Sequence, residues 1–141
     1  MHTIRLFMPN DYQQILDIWE EAGLGNPERG DNLQTIERTI SMGGAFFVME
    51  HQTDQSIIGT SWITNDGRRL YLHHFGIKKE YRGQKLAKPL LVASLAYAKQ
   101  LNFQIKLEVH NQNKTAINLY QKAGFKSLGD YRVFIIRQYT D

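Results

Sequence analysis

The chain opens on an alternating stretch, TIRLF at 3 to 7, which predicts a short strand. Pro9 and Asn10 stop it, and Asn10 with Gln13 has the form of a capping box opening a helix. Ile15, Ile18, Trp19 and Ala22 then recur at helical spacing. A loop containing Gly23, Gly25 and Pro27 runs to Asp31, whose pairing with Gln34 predicts a second helix with Leu33, Ile36 and Ile40 on one face. GAFFVME and SIIGTSWIT are strand-like. NDGR at 65 to 68 is a hairpin signal, because Asp-Gly accepts the positive φ angles of a tight turn, and it ties 56–64 to a strand at 68–77.

The next helix runs to about residue 100, with Leu86, Leu90, Ala93 and Tyr97 on one stripe and Leu91 and Leu95 beside it. Pro89 is tolerated only if that helix begins near 86, within the first turn whose N–H groups lack intrahelical partners. NFQIKLEVH at 102–110 alternates as a strand, Ile105, Leu107 and Val109 against Lys106, Glu108 and His110. A short helix at about 114–123 is stopped by Gly124, and YRVFII at 131–136 predicts a final strand or hairpin. The order β-α-α-β-β-β-α-β-α-β is that of a mixed α/β layer fold, expected to form one domain over residues 1–141.

Composition narrows the function. A hydrophobic content of 42% and a charged content of 22% are ordinary for a globular chain, and no apolar run approaches the roughly 20 residues of a membrane span. The opening residues lack the apolar core of a secretory signal, so a cytoplasmic location and no membrane partner are expected. The chain has no cysteine, which excludes thiol nucleophiles and thiolate metal sites, and no metal is expected. A formal charge of +3 without aromatic-basic interleaving gives no reason to expect nucleic acid. Oligomeric state is open between monomer and homodimer.

Where the cations lie matters more. KEYRGQKLAKPLL at 79–91 joins the strand ending at Ile77 to the following helix, and Lys78, Lys79, Arg82, Lys85 and Lys88 stand there against one acid, Glu80. A helix N-terminus is itself positive and normally attracts acids. Strand, glycine turn and helix together aim free N–H groups at one point, a geometry suited to phosphate, with donors from about Gln84 through Lys88 and a fork from Arg82. Gly83 permits a conformation or a close approach that larger residues resist.

LEVHNQNKTAINLYQKAGF at 107–125 supplies a second constellation. With the strand ending at Ile77, the Arg82-Gly83-x-x-x-Ala87 turn, Asn113-x-x-Ala116-x-x-x-Tyr120 and the Gly124-Phe125 stop, the chain resembles the GNAT superfamily of acetyl-CoA-dependent N-acetyltransferases. Within it, the wording is most similar to the ribosomal-protein alanine N-acetyltransferases and other small bacterial members. The resemblance implies a central, mostly antiparallel sheet of six to seven strands with about four helices, its splayed strands forming the acetyl-CoA cleft. It further implies that Arg82, Gly83, Gln84, Lys85, Leu86, Ala87 and Lys88 hold the pyrophosphate. Phe75 and Ile77 would serve the pantetheine arm and thioester, with Asn113 and Tyr120 also touching the cofactor. Lys85 departs from the pattern, because the family usually has glycine there; a right-handed backbone would accommodate the side chain.

Acetyl transfer to an amine needs a neutral nucleophile, polarisation of the thioester carbonyl and a proton for the departing thiolate. The resemblance implies that Tyr120 is the acid and carries a base onto Glu108. The strand at 68–77 has no carboxylate, leaving His73 and His74 as alternative bases, of which alternation allows one to face the cleft. A free amine arriving neutral would need none. His73 and Trp62 are further candidates for the acceptor side. The function expected is transfer of acetyl to a primary amine, of a small molecule or a protein N-terminus. The alternative is a non-catalytic acetyl-CoA-binding sensor of the same fold.

Overall fold

The computed structural model describes residues 1–140. Strands β1 (His2–Leu6), β2 (Ala45–His51), β3 (Ile57–Asn65) and β4 (Arg69–Ile77) form an antiparallel run, and β5 (Gln104–Leu107) joins β4 in parallel. The strands lie in sequence order. Helices α1 (Tyr12–Glu21) and α2 (Leu33–Ser41) cover one face; α3 (Ala87–Leu101) and α4 (Lys114–Lys122) cover the other. This is the mixed α/β fold expected, with five strands instead of six to seven. The shortfall is at the chain's end: residues 131–136 form no strand and are exposed.

β3 explains the layering. Its first seven residues are buried because helices pack on both faces, so it is a continuous apolar run and not an alternating one. On one side Ile15, Ile18, Trp19 and Ile36 meet Phe46, Val48 and Trp62. On the other, Ile63, Leu70 and Leu72 meet Leu91, Ala98 and Tyr120. Ser94, inside the α3 stripe, is also fully buried, and its hydroxyl is satisfied by Leu90 O at 2.8 Å and Ser61 Oγ at 2.6 Å. The buried line of α3 therefore runs through Leu90, Leu91, Ser94 and Ala98.

Two helix starts differ from the sequence expectation. α1 is preceded by a 3-10 turn, Pro9–Asp11, and Asp11, not Asn10, organises it by accepting from Met8 N at 2.8 Å and pairing with Arg5 at 2.9 Å. α2 is capped by Asn32, which accepts from Thr35 N at 2.9 Å. Asp31 is thereby left for another task. The 65–68 hairpin forms, but positive φ is confined to Gly67 at +94°, and the Asp66 carboxylate accepts from Arg68 N and Arg69 N at 2.9 and 2.8 Å. Pro89 falls in the first turn of α3, as its missing N–H requires.

Candidate active site

β4 carries a bulge. Thr60 pairs with Gly76 while Trp62 pairs with His73, so two residues of β3 are matched by three of β4. His74 absorbs the extra residue at φ +41°, a left-handed conformation uncommon for a side-chain-bearing residue. Side-chain parity reverses there. Tyr71 and His73 stack on the α1–α2 face with centroids 4.4 Å apart, and His74 remains on that face, 4.8 Å from Trp19 and 5.7 Å from Trp62. Both histidines share one side, contrary to the alternation expected from sequence. Phe75 turns to the opposite face and meets Tyr120 edge-on at 6.0 Å.

At the same level the sheet opens. Pairing of β4 with β5 ends at Leu72–Leu107, so residues 73–77 have no β5 partner. Splaying and bulge together leave a notch with Phe75 and Tyr120 on one side and His73 and His74 on the other.

Tyr120 is positioned by its own helix stop. Gly124 takes φ +109°, Phe125 N donates to Tyr120 O at 3.0 Å, and the Phe125 ring lies 5.7 Å from that of Tyr120. Asn113 caps the other end, accepting from Ala116 N at 3.2 Å. Tyr120 is 9% exposed, and burial pushes its phenol up to about 12. Among the described residues the only buried side-chain polar atom without a partner is His2 Nδ1. Among the described residues the Tyr120 hydroxyl makes no hydrogen bond to a protein group, and it is not one of the buried atoms left without a partner, so it keeps some contact with solvent.

Beyond Ile77 the chain makes a 3-10 turn, Lys79–Tyr81, and enters α3 with Leu86 as its cap residue. No side chain caps this helix and no acid occupies its first turn. Among the described residues only Lys78 of the five cations has a carboxylate partner for its side chain, Glu80 at 3.0 Å, leaving Lys79, Arg82, Lys85 and Lys88 without one. Arg82 Nε donates to Ile77 O at 2.9 Å, which fastens the turn to the end of β4. Gly83 sits at φ +80° with open space where a Cβ would be, so it serves the turn's conformation, not a close approach.

Lys85 adopts φ +61°, not the right-handed geometry in which its side chain would be tolerated without strain. A lysine thus holds a backbone position suited to glycine. Lys85→Gly is expected to raise stability by roughly 0.5–1 kcal/mol, strain relief exceeding the added freedom of the unfolded chain. A higher melting temperature measures it; a lower one would mean the ammonium contributes more than the strain costs.

The acceptor-side candidates are distributed unevenly. Trp62, expected there, is buried, stacks on Trp19 at 5.7 Å and donates to Thr39 Oγ1 at 2.9 Å, so it is core beneath the histidines and not a surface contact. His73 lines an open cleft of about 270 Å³ with Thr64, Tyr71, Arg69 and Lys106. Its Nε2 lies 2.8 Å from Thr64 Oγ1. Burial, then the neighbouring His74, hold its pKa down to about 4. Glu108 is exposed just past β5 on the same side; burial first, then the Glu108 carboxylate beside it, raise the Tyr71 phenol. Asp31, released from capping, meets His74 Nε2 at 3.2 Å and accepts from Asn26 N at 2.7 Å. Sequence reasoning left Asp31 and Tyr71 out of the site. Among the described residues no group of three His, Cys, Asp or Glu side chains is placed to hold a metal ion.

The family model for the acetyltransferase (GNAT) family matches residues 12–125, and the chain belongs to that family. An acetyltransferase of the GNAT family from Staphylococcus aureus Mu50 superposes with a TM-score of 0.79 at 22% identity, covering 94% of this chain and 89% of that one. The PaiA N-acetyltransferase of Thermoplasma acidophilum, in complex with coenzyme A, matches with a TM-score of 0.74 at 21% identity over 89% of this chain and 90% of its own. A predicted acetyltransferase from Clostridium acetobutylicum with acetyl-CoA gives 0.73 at 17% identity, covering 96% of both. These likenesses establish the fold; the family match establishes the class.

Proposed function

We propose that the chain transfers acetyl from acetyl-CoA to a primary amine. The observation that carries this reading is the uncapped, acid-free N-terminus of α3, ringed by Arg82, Lys85 and Lys88, lying just beyond the strand end that parts from β5. A diphosphate-bearing donor fits it, because anions satisfy orphan N–H groups and the helix dipole together. Arg82, Gly83, Gln84, Lys85, Leu86, Ala87 and Lys88 would hold the pyrophosphate, and Phe75, Ile77 and Asn113 the arm that reaches the notch. Bound there, acetyl-CoA would supply an activated acetyl thioester.

The chain's own groups then have distinct tasks. Backbone N–H near Phe75, freed of β5, is available to polarise a carbonyl. Tyr120 keeps its proton throughout the neutral range, and among the described residues its hydroxyl is unengaged, which suits a donor to the departing sulfur. Glu108 accepts a proton from the amine, through water. A histidine held near 4 is a weak base, which favours Glu108 over His73. The amine enters from the α1–α2 side, past His73, Tyr71 and Glu108. A protein N-terminus, the acceptor of the ribosomal-protein alanine N-acetyltransferases whose motif this chain resembles, and a small free amine both fit an open cleft.

Free thiol followed over time with acetyl-CoA and an amine panel that includes peptide N-termini tests the proposal. Thiol release matched to acetylated amine is expected; thermal stabilisation by acetyl-CoA without release would select the non-catalytic binder. Arg82→Ala is expected to weaken acetyl-CoA binding about tenfold, the scale of a lost charge-assisted hydrogen bond, with turnover at saturation nearly kept. Unaltered affinity in titration calorimetry would remove Arg82 from the phosphate site. Glu108→Gln should flatten the acidic limb of the pH–rate profile, and an unchanged profile would move the base to His74 or leave the amine to arrive neutral.

A further inference from the structure

Cations gather at both ends of β4. Those beyond Ile77 ring the N-terminus of α3 and suit the donor's pyrophosphate. At the start of the strand a second group, Arg68, Arg69 and Lys106, lines the cleft of about 270 Å³ together with Asp66, Tyr71 and His73. Arg69 and Ile77 bound β4, a separation of about 26 Å at roughly 3.3 Å per residue. One diphosphate cannot reach both ends. The notch at His73–Phe75 lies between them, so the second group stands on the side from which the amine enters.

Asp66 does not neutralise this cleft. Its carboxylate accepts from Arg68 N and Arg69 N at 2.9 and 2.8 Å and lies 3.7 Å from Arg68 Nε, so the hairpin turn and Arg68 occupy it. Among the described residues Arg69 and Lys106 form no ion pair, and Lys106 Nζ stands 5.8 Å from the centre of the Tyr71 ring. The floor between them is uncharged, because burial keeps His73 neutral and Tyr71 protonated. The acids lie toward the notch. Lys106 is opposite Tyr71 and β5 runs parallel to β4, which puts Glu108 at the level of His73, while Asp31 meets His74 at 3.2 Å. Along its length the acceptor side therefore changes sign, from carboxylates at the notch to cations at the hairpin.

We propose that the acceptor carries an anionic group, a carboxylate or a phosphate, on the order of 10 Å from its amine, and that Arg69 and Lys106 bind it, a site that rests on the acetyl-transfer reading for its amine end. Arg69 lies four residues before His73, about 13 Å along β4, and Lys106 stands midway, so the long side chains of both meet an anion within that span. Arg69 brings a planar fork and Lys106 a point charge, a pair that suits the oxygens of either anion. An acceptor with an ammonium at one end and an anion at the other matches the change of sign along the cleft. The same two cations disfavour a polyamine or a basic peptide N-terminus, whose second positive charge would fall beside them.

Aminohexyl phosphate and aminooctanoate place an anion at about that spacing, and aminohexanol and aminooctanamide are their uncharged counterparts. Titration calorimetry with coenzyme A saturating measures their binding without turnover and keeps the phosphate turn occupied. At least one anionic amine is expected to bind about tenfold more tightly than its counterpart, the scale of a charge-assisted hydrogen bond, and the larger advantage distinguishes phosphate from carboxylate. In the double variant Arg69→Gln, Lys106→Gln the advantage should fall to within about twofold. Lys106→Gln alone, at an exposed position, should lose part of it and guards against a folding defect in the pair. Equal affinity of charged and uncharged amines for the wild type would overturn the proposal. So would an advantage that the double variant keeps, since the anion would then sit elsewhere. Thiol release from acetyl-CoA is scored separately: its absence with every amine overturns the transferase reading, while the order of affinities still decides the anion site.

Discussion

Tyr120→Phe is expected to lower kcat about 100-fold, the range of a positioned acid, while acetyl-CoA affinity stays within about twofold. Among the described residues the hydroxyl has no hydrogen-bond partner, and burial alone raises its pKa. Transfer from a phenol near 12 to a thiolate that ordinarily titrates near about 8.5 runs uphill. In the proposed mechanism the proton would therefore first stabilise the leaving sulfur as a hydrogen bond, an interaction strongest as the bond breaks. Losing it should depress kcat and kcat/KM together. The ring's contacts with Phe75 and Phe125 survive, and no buried partner is orphaned, so the melting temperature should hold or rise slightly. Steady-state kinetics with thiol detection and a thermal melt separate these effects. Wild-type turnover in the variant would take Tyr120 out of the chemistry.

Most of the element order was legible because it rests on local rules. Period-two and helical spacing located the strands and helices, Pro89 set the start of α3, and Asn113 and Gly124 bounded α4. What was illegible depended on partners distant in sequence. Asp31 and Asn32 are adjacent and chemically alike as caps; only the fold assigns Asn32 to the helix and Asp31 to His74. The β4 bulge puts its positive φ on His74 and not on the nearby Gly76, so alternation misplaces one histidine, and Trp62 lacks the surface expected of it. The 131–136 pattern has strand composition, but composition says nothing of which edge receives the strand.

The bulge also connects two parts of the site that simple alternation would keep apart. With regular pairing, Phe75 would face α1 and α2 with Tyr71 and His73. One extra residue sends it to Tyr120 instead and brings His74 beside His73. Trp19 supports the strained residue: its ring packs on His74, and its Nε1 donates to Thr60 Oγ1 at 3.1 Å, which in turn donates to His74 O at 2.8 Å. Local strain at φ +41° is thus held by buried hydrogen bonds from the neighbouring strand and helix.

A second large effect is expected in stability against pH, and His73 is its source. Unfolded, the ring titrates near its ordinary value of about 6.5; folded, burial and then His74 hold it down to about 4. Above the unfolded value it is neutral in both states and contributes no pH dependence. Between the two values only the unfolded chain takes the proton, so stability falls as pH drops through that window. Below the folded value both states are protonated and the loss is complete, on the order of 3 kcal/mol. Asp31 and Glu108 oppose the trend by favouring the charged ring, yet burial outweighs them. Carboxylates such as Asp11, already held below their usual range, lose their contribution only at lower pH, beneath this window. His73→Gln keeps a polar group near Thr64 but cannot titrate, so urea denaturation of the variant should show a much flatter stability profile from neutral pH down to about 4. An equally steep decline in variant and wild type would mean that the burial of His73 is relieved by water as the ring charges, and that its neutrality is not a fixed property of the notch.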